Sequence, residues 1–228
     1  MTKTNKMLIS VILISFGFLF MSNFSSVKAD CADIVLPDCP GQPFLPDPYG
    51  HDIIEIESPP GSGCIVKFRY CWRKACGTLN DIYIEIIGTT CDPGPFFDPS
   101  HYKKLVEACM AHVVAVFYPW GSGGGIENIP PCSEGLSQTI WRLGTPSCTS
   151  DWFVKWIDGK LYFVTEPCNV VELGTTCWNT VKYCWIETEY GKELIPKVQS
   201  TGAPGIWQCP PIYKPDGYQN VECNALCE

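Results

Sequence analysis

Alternation of apolar and polar residues is the dominant pattern along this chain, and it predicts β-strands. In Cys64–Arg73 the positions alternate between an apolar face and a basic face, as expected for a half-buried strand. Shorter alternating runs occur at Asp52–Glu57 and Asp81–Ile87. We therefore expect a mainly β protein, with antiparallel and sandwich-like packing.

A hairpin is predicted over Trp152–Thr165. Asp158 and Gly159 stand at its centre, and an Asp-Gly pair between alternating strands favours a two-residue turn with positive φ at both positions. Such a turn places five apolar residues on one face, which we expect to be the core face: Trp152, Val154, Trp156, Leu161 and Phe163. The other face carries Phe153, Lys155, Tyr162 and Val164.

Helical spacing occurs in one segment. Asp98 followed by Pro99 is typical of a helix start. Apolar residues then recur at Leu105, Cys109 and Val113, as on the buried face of a helix. We place this helix at about 99–117, which makes the predicted fold class mainly β with one helix (α+β).

A nine-residue motif occurs twice, as CIVKFRYCW over 64–72 and as CWNTVKYCW over 177–185. Both copies hold two cysteines seven positions apart and end in Tyr-Cys-Trp. A glycine-rich stretch, 121–125, lies between them. The repeat predicts two related, disulfide-stapled β modules, at 30–120 and 130–228, connected by a joint at 121–129.

The spacing inside the motif limits the disulfide pairing. Residues seven apart on a strand are about 23 Å apart and face opposite ways, whereas bonded cysteines need Cα atoms within about 7 Å. Cys64 therefore cannot bond Cys71, and Cys177 cannot bond Cys184. All four are candidates for bonds to other strands or loops, and the sequence does not reveal the partners.

The N-terminus has the pattern of a secretory signal peptide. Lys3 and Lys6 precede an apolar run, Met7–Met21, and a cleavage-like end follows at Ala29. A retained membrane anchor is the alternative, but the run is shorter than the roughly 20 residues that a span needs. We expect cleavage near Ala29, no membrane span after it, and a location that is secreted, at the cell surface or periplasmic.

Composition narrows the function classes. Removal of 1–29 takes away three lysines and no acid, so the formal charge falls from −8 to −11, which disfavours nucleic-acid partners. The 15 cysteines, all after Ala29, indicate disulfides in an exported protein. No Cys-x-x-Cys pair is present, so we expect no metal and no cofactor. An odd count leaves one thiol buried and free, or bonded to a partner or second copy.

Candidate chemistry is sparse, and we predict no catalytic residue. Trp185, Glu187 and Glu189 share a predicted strand face, which could serve sugar binding or glycoside hydrolysis or be a solvated sheet face. Trp120 and Trp207, beside glycine-rich turns, are candidates for exposed binding residues.

A thiol–imidazole pair is the remaining candidate for catalysis. Cys109 and His112 are three positions apart on the predicted helix. We favour a half-buried thiol beside a surface histidine, because a catalytic thiol is usually consumed in an oxidising compartment.

The patterns together favour a secreted or cell-surface structural or interaction protein without catalysis, able to self-associate through unpaired sheet edges. The alternative is an extracellular carbohydrate-binding or glycoside-hydrolysing protein. Trp120, Trp185, Trp207, Glu187 and Glu189 are the candidate binding residues in either case.

Overall fold

The structure is a computed structural model, and it describes residues 31, 34, 43–46, 53–75, 79–94, 97–116, 125–168, 176–202, 209, 212–213 and 221–227. The predicted signal peptide and the candidates Trp120 and Trp207 lie outside these residues.

The described residues are mainly β-strand with one α-helix, as the alternation predicted. The helix, α1, spans Pro99–Val116, and a short 3-10 turn spans Ile126–Asn128. The strands are β1 (Leu45–Pro46), β2 (Ile54–Glu57), β3 (Ile65–Ala75), β4 (Leu79–Thr89), β5 (Ile140–Pro146), β6 (Cys148–Ser150), β7 (Phe153–Ile157), β8 (Lys160–Val164), β9 (Thr176–Thr188), β10 (Gly191–Gly202), β11 (Ile212–Tyr213) and β12 (Val221–Ala225).

Nine of these strands form one sheet, with the order β1-β3-β4-β5-β9-β10 along its main path. β2 pairs with β3, and the β7–β8 hairpin joins through a contact of β8 with β4. The pairing of β4 with β5 is parallel, and the other pairs are antiparallel. A parallel neighbour needs a crossover, and α1 lies in the connection between β4 and β5. A separate sheet has the order β11-β12-β6.

The main core lies between α1 and one face of the large sheet. Val66 and Phe68 of β3 and Ile84 of β4 are fully buried there, together with Met110 and Val113 of α1. Trp141 and Tyr183 extend the core across β5 and β9, with their rings edge to face at 5.4 Å between centroids. The apolar sides of β3 and β4 therefore face the helix α1.

The basic face that alternation predicts on β3 is buried as well. Lys67, Arg69 and Arg73 project from it, and each meets a carboxylate directly opposite on a neighbouring strand. Asp81 of β4 is completely buried and bonds two guanidinium groups, those of Arg73 (Nε–Oδ2 2.8 Å) and Arg142 (Nη2–Oδ2 2.6 Å). Buried charges in proteins are normally paired in this way.

The predicted elements agree closely with the observed ones. The run at Cys64–Arg73 is β3, the run at Asp81–Ile87 is β4, and the helix ends one residue earlier than the predicted 117. The hairpin has the predicted register, with Trp156 opposite Leu161. Asp158 (φ 51°) and Gly159 (φ 76°) both have positive φ.

The predicted core face of the hairpin is wrong for its strands, although Trp152, just before β7, does pack against the main core. Val154, Trp156 and Leu161 are exposed, whereas Phe153 and Tyr162 on the opposite face are buried. Lysines on this inner face made it look like the solvent side, but Lys155 has a carboxylate partner, Glu166, at 3.8 Å. The inner face of the hairpin, which carries both apolar and charged residues, is buried because it packs against the charged face of β3. Lys67 of β3 lies 4.9 Å from the Tyr162 ring centre.

The two predicted modules contribute to the same sheet. β4 belongs to 30–120 and β5 to 130–228, and they pair directly. The repeated motif lies on β3 and β9 of this sheet, and 121–124 are outside the described residues. The joint therefore does not separate two sheets. A relationship between the halves, and a sandwich-like arrangement, stay predictions.

Six disulfides connect distant parts of the described chain, with Cα–Cα distances from 4.8 to 6.3 Å. Cys64, Cys71, Cys177 and Cys184 each bond a cysteine outside their own strand. The pairs are Cys31–Cys71, Cys64–Cys91, Cys132–Cys184, Cys148–Cys209, Cys168–Cys223 and Cys177–Cys227.

Cys109 is the free cysteine of the described residues, and it is fully buried. An odd cysteine count implies either a buried free thiol or a bond to another chain, and Cys109 is a buried free thiol. Cys39 and Cys76 lie outside the described part of the chain.

Candidate functional site

The predicted acid pair is not assembled in a cleft. Trp185 and Glu187 lie on β9, and Glu189 follows the end of that strand. Lys192 Nζ lies 4.0 Å from the centre of the Trp185 ring, so this face of the ring already holds a cation. Both glutamates are exposed, and neither lines the cavity described below. A carbohydrate-active role for these residues stays a prediction.

The thiol and imidazole on α1 do not form an accessible nucleophile. Burial raises the pKa of Cys109 well above its usual value, which keeps the sulfur protonated, and a reactive cysteine needs an accessible thiolate. His112 is partly buried, and burial lowers the pKa of its imidazole. The thiol is more buried than the half-buried one of the structural explanation, and the histidine is partly buried rather than at the surface.

The most exposed apolar surface in the described residues is on the β7–β8 hairpin. We call Val154, Trp156, Leu161 and Phe163 the hairpin outer face. Trp156 is 71% exposed, Val154 46% and Leu161 43%, and Phe163 is half-buried. Val154 lies opposite Phe163 and Trp156 opposite Leu161, so the side chains form one continuous patch. No charged residue of β7 or β8 projects from it.

An ionic contact fixes the hairpin to the rest of the sheet. Lys67 of β3 is almost completely buried, and its Nζ lies 2.9 Å from Glu55 Oε1 and 3.0 Å from Asp158 Oδ2 at the hairpin tip. The same ammonium lies 4.9 Å from the Tyr162 ring centre. Burial opposes the charge on Lys67, but the two carboxylates outweigh burial and raise its pKa.

The inner face of the hairpin completes the attachment. Phe153, Tyr162 and Val164 form a small buried cluster. The inner face is thus closed by packing and charge, and this closure directs the outer face to solvent.

β10 is the last strand on the main path of the sheet in the described part of the chain, and its sequence protects its outer edge. Pro196 lies within β10 and cannot donate to a ladder. The register shifts between Val198 and Ser200, and Lys197 lies just before this irregularity. Proline, bulges and lysines are the usual means of preventing edge pairing. β7 pairs only with β8 in the described part of the chain, and it has no proline or bulge.

A cavity of about 310 Å³ opens between α1, the ends of β5, β9 and β10, and the C-terminal segment. Asn179 lies between Leu143 and Thr201 in register. The pKa of the Glu107 carboxyl, at the rim, is raised because burial outweighs the opposing effect of the nearby Lys103 and Lys104 ammonium groups. The lining residues are Tyr102, Lys103, Val106, Glu107, Leu143, Thr145, Cys177, Trp178, Asn179, Thr201, Gly202, Leu226 and Cys227. This cavity is large enough for a small molecule.

Within the described residues, no cluster of three or more His, Cys, Asp or Glu side chains is placed to bind a metal ion. The described helices include none with the length and apolar character of a membrane-crossing segment.

The hairpin outer face was missed at the sequence level, and the signal for it was the two-sided alternation of 153–164. Both faces of that segment are rich in apolar residues, so one of them must face outward unless another element covers it.

No protein-family model, curated protein or solved structure matches this chain.

Proposed function

We propose that this chain is an exported, disulfide-cross-linked interaction protein that binds a protein partner through the hairpin outer face. The observation that carries the proposal is the exposure of Trp156 within a continuous apolar patch. Monomeric soluble proteins seldom expose such patches without an interaction role. The six disulfides fit an oxidising location outside the cytoplasm.

The residue types of the patch suit protein recognition. Tryptophan is enriched at the energetic centres of interfaces. Covering the exposed part of the Trp156 side chain would contribute on the order of 3 kcal/mol at about 25 cal/mol per Å². Val154, Leu161 and Phe163 surround it and would exclude water from the contact.

The hairpin is also prepared for binding before a partner arrives. Lys67 holds its tip through Asp158, and the inner cluster of Phe153, Tyr162 and Val164 holds its strands. A surface that is already ordered loses less conformational entropy on association, so more of the contact energy is retained as affinity.

Site-specific photo-crosslinking tests the proposal. A photoreactive amino acid replaces Val154 in the full-length protein, produced in the cells that normally make it, and adducts are identified by mass spectrometry. Tyr190 is the matched control position, since it is 61% exposed but follows β9 and lies off the hairpin. We expect protein adducts from position 154 and few from position 190.

Equal labelling at the two positions, or no protein adduct at position 154, would contradict a partner-binding role for the hairpin. Adducts with glycans alone would instead support the carbohydrate alternative.

A further inference from the structure

The backbone of β7 offers a second kind of contact beside its outer face. In a hairpin with a two-residue loop, the residue pair next to the turn exchanges both backbone hydrogen bonds, and the following pairs alternate. Ile157 and Lys160 form that pair, so Phe153 and Lys155 also direct their backbone groups to β8. Val154 and Trp156 therefore direct theirs to the side of β7 that has no partner strand in the described part of the chain.

We propose that the partner bound by the hairpin is a second copy of this chain, with β7 of one copy pairing antiparallel to β7 of the other. This inference rests on the proposed function and specifies its partner. The same five-residue edge can pair with itself about a two-fold axis, which is the commonest symmetry of homodimers.

The pairing that uses the full length of β7 places Val154 of one copy opposite Trp156 of the other. Both residues direct backbone groups to the edge, so both form hydrogen-bonded pairs across the axis. Their side chains lie on the same face, and an aromatic residue opposite a β-branched one is a favourable cross-strand pair. The two outer faces then merge into one apolar surface over four strands.

Charge also favours this place of contact. The whole chain carries a formal charge of −8, so copies repel each other over most of their surface. The outer face carries no charge. On the inner face, the two-fold axis places Lys155 of one copy opposite Lys155 of the other. In each copy the carboxylate of Glu166, 3.8 Å from Lys155 Nζ, reduces the repulsion between the two ammonium groups.

The other long edge is not available for the same purpose. β10 is interrupted by Pro196 and by the irregularity at Val198 and Ser200. These features prevent a regular ladder, whereas β7 has none of them. Within the described residues, β10 is therefore protected against edge pairing and β7 is not.

Sedimentation equilibrium of the purified protein tests this dimer. Val154→Pro removes an N–H group that points to the free edge and leaves the ladder with β8 intact. Val154→Thr keeps the N–H group and the β-branched shape, so it is the matched control. We expect the wild type to dimerise, Val154→Pro to raise the dissociation constant about tenfold or more, and Val154→Thr to change it less than about threefold.

Thermal unfolding of each variant checks that it folds. If Val154→Pro does not fold, Trp156→Lys replaces it, since a lysine on the edge gives like-charge repulsion across the axis. Dimerisation that is unchanged in the folded edge variant overturns the proposal.

A wild type that stays monomeric at every attainable concentration also overturns it. In that case adducts of position 154 with a different protein would leave the proposed function standing. The absence of any adduct would remove both.

Discussion

Asp81 illustrates how single residues hold the polar face of the sheet together. Its carboxylate is completely buried and lies in register with Arg73 on one side and Arg142 on the other. Arg73 in turn lies 4.7 Å from the Phe44 ring centre, and Arg142 lies 5.8 Å from that of Trp178. Guanidinium groups suit such sites because they combine ion pairing with stacking on aromatic rings.

Asp81→Asn should destabilise the protein by about 3–5 kcal/mol, because it leaves buried guanidinium groups without their counter-charge. The free energy of unfolding in guanidinium chloride measures the effect. Glu187→Gln is the control, an exposed acid on the same sheet, and should change stability by less than about 0.5 kcal/mol. Similar losses in the two variants would show that the buried carboxylate has no special role.

The β7–β8 hairpin illustrates how a local signal determines an element. Asp158 and Gly159 adopt the positive φ angles that a two-residue turn demands, and this turn sets the register of both strands. The register then decides which side chains share a face. It does not decide which face is buried, because Lys67 and Glu55 approach from a distant part of the chain.

Gly159→Ala should destabilise the hairpin by about 1–2 kcal/mol through backbone conformation alone, since L-residues pay this cost at positive φ. A Cβ atom at position 159 would contact nothing within 4 Å, so no clash contributes. Gly159→Asn is the matched control and should lose less, because asparagine tolerates this conformation. Thermal unfolding of both variants measures the difference, and an equal loss in both would contradict the φ argument.

At the scale of the whole molecule, disulfides connect the sheet to segments far away in the chain. The bonded cysteines are separated by 27 to 61 positions. Cys177–Cys227 ties the C-terminal segment to β9, and Cys132–Cys184 ties the segment before β5 to the same strand. Long closed loops of this kind reduce the entropy of the unfolded chain.

Replacing Cys132 and Cys184 with serine should lower the free energy of unfolding by about 2–5 kcal/mol, given the 52-residue separation. Denaturation under non-reducing conditions measures this loss. Cys109→Ala is the control, because it removes a cysteine without removing a disulfide, and should cost about 1 kcal/mol. Wild-type stability in the double variant would mean that packing alone holds this part of the sheet.

The sequence by itself determined local features: the strands β2, β3 and β4, the helix, and the turn and register of the β7–β8 hairpin. These follow from side-chain periodicity and turn chemistry, which act over a few residues. It also excluded bonds between Cys64 and Cys71 and between Cys177 and Cys184, because strand geometry fixes the distance between their Cα atoms.

Only the tertiary structure decided which cysteines meet, which thiol is left in the core, and which face of the hairpin is exposed. The exposure of Trp156 depends on charges that residues far away in the chain bring beneath the hairpin. Alternation predicts which side chains share a face of a strand. Which face is buried depends on the elements that pack against it, and these come from distant parts of the chain.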